Sequence, residues 1–287
     1  MSTGGERTDR PRVCFLGAGT MAGAVIGGML SAGWPADRIT ATHRRPEGRA
    51  AVAEKYGIEV TETSPEAVAD ADLVVVAVKP YAALDVLASV VEGLSPHTVV
   101  ASLCAGITCA AMESALESTG RVQLARLSVV RVMPNTACLV RAGVSGISAG
   151  RHADEQALAR VVEVMQTVGS TVEIPEAQQD ALAAVSGSGG AYLALVAEAM
   201  IEAGVHQGLP RTVADDLVRQ TFAGAAALLV EGEHPAVLRE QVTSPAGSTA
   251  AAINALESAG VRAAFLSAIA AATERNRALG APADESR

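Results

Sequence analysis

A chain of 287 residues can form about two domains, each large enough to bury its own core. Its net charge of −9 argues against a polyanion partner, because binding a phosphate backbone needs a basic surface, so no nucleic-acid partner is expected. With 49% hydrophobic residues and 2% aromatic, Ala and Val prominent among them, the composition favours helices packed closely through small side chains and strands built from Val and Ile.

The first residues, MSTGGERTDRPR, are polar and lack the apolar core of a signal peptide, so residues 1–11 read as a disordered tail. A short apolar run, Val13 to Leu16, then ends in Gly17-Ala18-Gly19, with Thr20, Met21 and Ala22 following and an amphipathic segment to Ala32. This is G-x-G-x-x-A at a strand-to-helix junction. Gly17 permits a tight turn, Gly19 lets a pyrophosphate approach the backbone, and Ala22 keeps helix and strand close. The phosphates would sit on the unpaired N–H groups of the helix start, including those of Thr20 and Met21.

Further strands are expected at 39–42, 73–78, 98–102 and 129–133, with edge strands at 143–148 and 170–174. Helices are expected between them, at 47–56, 82–93 and 110–116. Near-continuous apolar strands separated by helices imply a parallel sheet covered on both faces, a doubly wound α/β domain. From about Gln178 the pattern becomes helical only, with segments over 180–208, 211–232, 236–242, 248–260 and 261–280. An Ala-rich helical half of this kind exposes apolar surface as a monomer and calls for a homodimer. The boundary falls near Ile174-Pro175, giving domains 12–175 and 176–280 and a tail at 281–287. No apolar run reads as long enough and free enough of charge to cross a membrane.

The second strand ends in Thr42-His43-Arg44-Arg45, with no acid until Glu47. An NAD-selective site places a carboxylate about 20 residues past the glycine turn, whereas two guanidinium groups suit a ribose 2′-phosphate. NADPH is therefore expected over NADH, with NADH possible. Ala77-Val78-Lys79-Pro80 ends the third strand on the edge where such sheets bind ligands, and Lys79 and Lys55 are the two lysines of the chain. Ala105-Gly106 and Asn135 end the next two strands on the same edge. Asn135 is placed either to hydrogen-bond the nicotinamide region or to cap the following turn.

Without a lysine after Lys79, the acid/base of β-hydroxyacid dehydrogenases is missing from the helical half, and the five histidines are scattered. What fits is hydride addition to a carbon–nitrogen double bond. Ser244-Pro245-Ala246-Gly247-Ser248-Thr249 precedes and opens a helix, an anion site suited to a small carboxylate, although a simple N-cap at Ser248 reads the same way. Ser186 to Tyr192 (SGSGGAY) bares the backbone for a ligand or for another helix. Cys14, Cys104, Cys109 and Cys138 have no metal-ligand spacing, so a reduced cytoplasmic setting and no metal are expected.

These motifs, GAGTMA, AVKP, the AG of SLCAG, R-x-MPN, SGSG-x-AY, GLPR and TSP-x-G-x-T, resemble in order and spacing those of the pyrroline-5-carboxylate reductase family, from about Val13 to Leu279. The resemblance implies an N-terminal Rossmann domain and an all-α C-terminal dimerisation domain, in a dimer often assembled into decamers. It implies hydride transfer from NAD(P)H to the imine carbon of L-1-pyrroline-5-carboxylate, giving L-proline. The threonine matching Thr249 would hydrogen-bond the ring nitrogen as the catalytic residue, and the loop matching Ser244 to Ser248 would hold the carboxylate. The chain departs from the family pattern at Ala137, Gly190, Ala246 and Ala252. The departure at Ala246 leaves a reductase of a related cyclic imine as a second reading, and a non-catalytic NADP-binding sensor is the alternative from a different class.

Overall fold

The computed structural model describes residues 10–118, 120 and 126–280. Most of the tails expected at 1–11 and 281–287 lie outside the described residues. Residues 10 and 11 are held: Arg10 pairs with Glu163 at 2.6 Å and lies over the Trp34 ring, whose Nε1 donates to the Pro11 carbonyl at 3.4 Å.

Eight strands form one sheet. They are β1 (Val13–Leu16), β2 (Ile39–Thr42), β3 (Glu59–Thr61), β4 (Leu73–Val76), β5 (Val99–Ser102), β6 (Ser128–Met133), β7 (Gly143–Ala149) and β8 (Gly169–Glu173). Their order is β3-β2-β1-β4-β5-β6-β7-β8. The first six are parallel, β7 is antiparallel to β6, and β8 is parallel to β7. The expectation of a parallel sheet is thus corrected at β7. Its connection from β6, residues 134–142, holds only a 3₁₀ turn, too short for a crossover to a parallel neighbour. Nor is β7 an edge strand, since it pairs on both sides, whereas β8 is one. The other edge, β3, is absent from the sequence reading because three residues of Glu-Val-Thr show no usable alternation.

The helices of the sheet region are α1 (Thr20–Ser31), α2 (Pro46–Tyr56), α3 (Pro65–Val68), α4 (Ala83–Ser89), α5 (Cys109–Glu117), α6 (Glu155–Met165) and α7 (Gln179–Leu182). The strands are buried on both faces. One core joins β-strand side chains such as Phe15 and Ile39 to Ile26, Met29 and Val161 of α1 and α6. The other joins Leu16 and Val74 to Leu87, Met112 and Leu116 of α4 and α5. This sandwich of helices around one sheet is what the continuous apolar strands require.

Beyond α7 come a π-helical turn (Ala183–Gly187), then α8 (Gly189–His206), α9 (Arg211–Val230), α10 (Pro235–Gln241), α11 (Ser248–Ser258) and α12 (Val261–Gly280). Two compact units result, residues 188–272 and the remainder, so that 273–280 cluster with the sheet. Residues 176–187 do the same through buried polar bonds. Arg131 of β6, 5% exposed, faces Glu176 and Asp180, each at 3.5 Å. Gln179, fully buried, donates to Ser148 Oγ at 2.9 Å.

In the second unit only Ala214 and Val218 are buried among the described residues, while Leu193, Leu195, Leu217, Leu228 and Leu266 are exposed. The helical stretch 176–206 is long and apolar enough to cross a membrane by length and composition alone, and α11 with α12 passes the same test as a bent pair. This corrects the expectation that no such run exists. The acidic residues of 176–206 fall at its two ends, Glu176 and Asp180 before the apolar run and Glu198 and Glu202 near its close, so they do not break it.

Candidate functional sites on the sheet edge and in the helical unit

At the carboxyl end of β1 the chain turns through Gly17 at φ +95°, where a Cβ would lie 2.7 Å from Val78 Cγ1. The Gly17 N–H donates to Thr42 Oγ1 at 3.2 Å, and the Ala77 N–H donates to the Leu16 carbonyl at 2.9 Å. The turns after β1, β2 and β4 are therefore bonded together. Since β1 lies between β2 and β4, the strand order reverses here, which opens a crevice at these strand ends.

Gly19 is the N-cap of α1, at φ −80° and ψ −170°, and no side chain caps the helix. A Cβ on Gly19 would meet nothing within 4 Å. The first bond of the helix is Gly23 N–H to Gly19 carbonyl, 2.8 Å, which leaves the amides of Thr20, Met21 and Ala22 without intrahelical acceptors. No acidic residue occupies the first turn. Thr20 is exposed, Met21 half-buried and Ala22 buried, so Ala22 offers only its backbone outward.

After β2, the His43 N–H pairs with the Thr61 carbonyl at 3.0 Å. Arg49 ties down the loop, donating to the carbonyls of His43 and Arg44 at 3.2 and 3.3 Å and pairing with Glu62 at 3.0 Å. Arg44 and Arg45 are exposed and have no ion-pair partner among the described residues. Their backbone is fixed while their charges stay free, which suits a phosphate ligand.

Ala77 and Val78 are half-buried, and Lys79 and Pro80 are exposed at the head of a 3₁₀ turn closed by the Ala82 N–H on the Lys79 carbonyl, 2.9 Å. Ala105 is exposed and Gly106 turns at φ +76°. Asn135 is the N-cap residue of the turn that follows it, but its side chain makes no cap bond there. Its Oδ1 accepts from the Val144 N–H at 3.2 Å and its Nδ2 donates to the Ser186 carbonyl at 3.4 Å, joining the end of β6 to β7 and to the π-helical turn. One Nδ2 proton remains for a ligand.

The helical unit repeats the α1 arrangement. Gly247 is the N-cap of α11, at φ −79° and ψ 169°, again without a side-chain cap or an acid in the first turn. Its N–H is used by the Ser244 carbonyl at 3.0 Å, and the helix begins with the Ala251 N–H on the Gly247 carbonyl, 3.2 Å. The amides of Ser248, Thr249 and Ala250 are left without intrahelical acceptors. Ser248 is exposed, Thr249 is half-buried, and among the described residues neither hydroxyl, nor that of exposed Ser244, has a hydrogen-bond partner. The N-cap role weighed for Ser248 belongs instead to Gly247. The neighbouring Thr243 differs, since its hydroxyl is committed to the Arg239 carbonyl at 2.6 Å. Pro245 is exposed, and Ala246 sits at φ +57°, a left-handed position costing a residue with a Cβ on the order of 1–2 kcal/mol.

Two contributors escaped the sequence reading. Thr42 ends β2 fully buried, and its hydroxyl accepts from both the Gly17 N–H and Thr63 Oγ1, so it holds the glycine turn. A threonine closing an apolar strand was the available signal. Glu176 accepts from the Cys109 N–H at 2.8 Å as well as facing Arg131, and a charge in the middle of SVVRVM was the clue to that network. The four cysteines are free and buried. Burial pushes the Cys14 thiol up to about 11 and, with the Glu176 carboxylate alongside, that of Cys109 up to about 12, so both stay protonated and unreactive near neutral pH.

Comparison with known proteins bears on both helix starts. Residues 176–279 match the family model described as pyrroline-5-carboxylate reductase dimerisation, and 12–106 match the one described as NADP oxidoreductase coenzyme F420-dependent. The pyrroline-5-carboxylate reductase of Corynebacterium melassecola is 40% identical over 272 residues, covering 93% of this chain and 98% of that protein. The chain belongs to the pyrroline-5-carboxylate reductase family. The Coxiella burnetii pyrroline-5-carboxylate reductase superposes with a TM-score of 0.89 at 34% identity, covering 96% of this chain and 100% of that one. The Plasmodium falciparum pyrroline carboxylate reductase, solved with NADP bound, superposes at 0.80 with 27% identity, covering 94% and 98%. The apolar stretch 176–206 and the exposed helices thus fall within the part of the chain that matches the dimerisation model of the pyrroline-5-carboxylate reductase family.

Proposed function

We propose that this chain reduces L-1-pyrroline-5-carboxylate to L-proline with NAD(P)H, the last step of proline biosynthesis. The observation that carries the reading is its 40% identity to a pyrroline-5-carboxylate reductase across 93% of its length. When bound, the reduced nicotinamide supplies the hydride.

The chain's own residues do the rest. The α1 amides and the Gly17 to Ala22 turn hold the pyrophosphate, and Arg44 and Arg45 hold a 2′-phosphate, which favours NADPH. Ala77 to Pro80, Ala105, Gly106 and the free Asn135 proton line the rest of the cofactor. The amides of Ser248 to Ala250, with the Ser244 and Ser248 hydroxyls, bind the substrate carboxylate. The Thr249 hydroxyl orients the ring nitrogen and supports its protonated form, which makes the imine carbon electrophilic. Orientation is the principal catalytic contribution, because an aligned pair avoids much of the entropic barrier.

In this reading residues 12–175 form the cofactor domain and 176–280 the substrate and dimerisation domain, in a cytoplasmic homodimer that can assemble into a decamer, with no membrane partner. A related cyclic imine is the second reading, favoured by the Ala246 methyl in the substrate loop. The test is NADPH consumption, followed by absorbance, with pyrroline-5-carboxylate and with other cyclic imines. Fastest turnover with pyrroline-5-carboxylate is expected. Preference for another imine would establish the second reading, and no turnover with any of them would leave a cofactor-binding protein without this activity.

A further inference from the structure

The cofactor reading assigns no residue to the adenine base, yet the sheet edge presents one exposed ring. Four aromatic residues lie in the described part of the sheet unit. Phe15 and Trp34 are buried and Tyr56 is half-buried beside α1, whereas Tyr81 is 86% exposed. Its backbone is fixed by the 3₁₀ turn Pro80–Ala82, and its hydroxyl has no hydrogen-bond partner among the described residues. An exposed, unpartnered ring on a fixed backbone at the sheet edge offers a stacking surface.

Its position selects the base. Tyr81 follows β4 and Arg44-Arg45 follow β2, with β1 and its glycine turn between them. Two strand spacings put these banks roughly 9.6 Å apart. A flat base with van der Waals contact on each side needs roughly 7–8 Å. Arginines gripping the 2′-phosphate place the adenosine between the two banks, and the packing of Val78 against Gly17 keeps the β4 bank close to the crevice. We infer that Tyr81 stacks on the adenine of the dinucleotide.

This rests on the NADPH reading, and the experiment separates the two. Binding of 2′,5′-ADP, NMN and NADPH is measured by calorimetry on the full chain and on Tyr81→Ala, Tyr81→Phe and Tyr81→Trp. Tyr81→Ala is expected to weaken 2′,5′-ADP by about 5- to 150-fold, with Phe and Trp restoring affinity and NMN changing less than twofold. Unchanged 2′,5′-ADP affinity in Tyr81→Ala, or an equal loss for NMN, overturns the assignment. Failure of the unaltered chain to bind NADPH overturns the cofactor reading and this inference with it.

Discussion

The starts of α1 and α11 are built alike and surrounded differently. Each is headed by a glycine in extended conformation, each lacks a side-chain cap and a first-turn acid, and each leaves three amides unpaired. They differ in what surrounds the amides. At α1 the glycine turn is clamped from both sides, by Thr42 and by Ala77-Val78, and free cations wait at Arg44 and Arg45. At α11 the flanks are neutral hydroxyls, and the loop carries a strained alanine instead of a clamp. The first arrangement suits a multiply charged diphosphate, the second a single small carboxylate with a ring attached. In the proposed reading, anion binding would come from the helix end in both, and selectivity from the flanking residues.

Five variants break or sharpen that comparison. Gly17→Val combines positive-φ strain with a clash on Val78 and is expected to cost about 3 kcal/mol or more in denaturant unfolding. Gly19→Val, with open space around it, should leave that stability within about 1 kcal/mol while abolishing NADPH binding, which would separate clamp from cradle. Next in size, Thr249→Val removes one polar contact and is expected to lower kcat/KM by about tenfold to a few hundredfold. Unaltered turnover would take Thr249 out of the reaction. Arg44→Ala with Arg45→Ala should raise the KM for NADPH about 10- to 100-fold and leave that for NADH nearly unchanged. The smallest change is Ala246→Gly: relief of left-handed strain is partly offset by the entropy of glycine, for a net gain below about 1 kcal/mol in thermal unfolding.

The two starts were not equally legible in the sequence. Gly17-x-Gly19 after a Val-rich strand announces its turn because the chemistry is in the glycines themselves. In the second loop Pro245-Ala246-Gly247 gave the place, but the left-handed backbone at Ala246 breaks a steric rule, so no propensity could reveal it. The doubly wound sheet was readable from its buried strands. The reversal at β7 was not, because a strand's side-chain alternation is the same in either direction; only the short 134–142 connection hints at it. The ties of Asn135 were equally hidden, since its partners Val144 and Ser186 are distant in sequence or lie in an irregular π-helical turn.

The scarcity of buried side chains in residues 188–272 bears on how the chain is made as well as on how it works. A segment with almost nothing tucked away within its own chain gains its stability by mass action, from contact with another molecule, so dilution should lower its melting temperature while the sheet region melts independently of concentration. On the proposed reading, a freshly synthesised subunit would hold its α1 start finished before its α11 loop, and enzyme output would rise more steeply than in proportion to expression at low copy number.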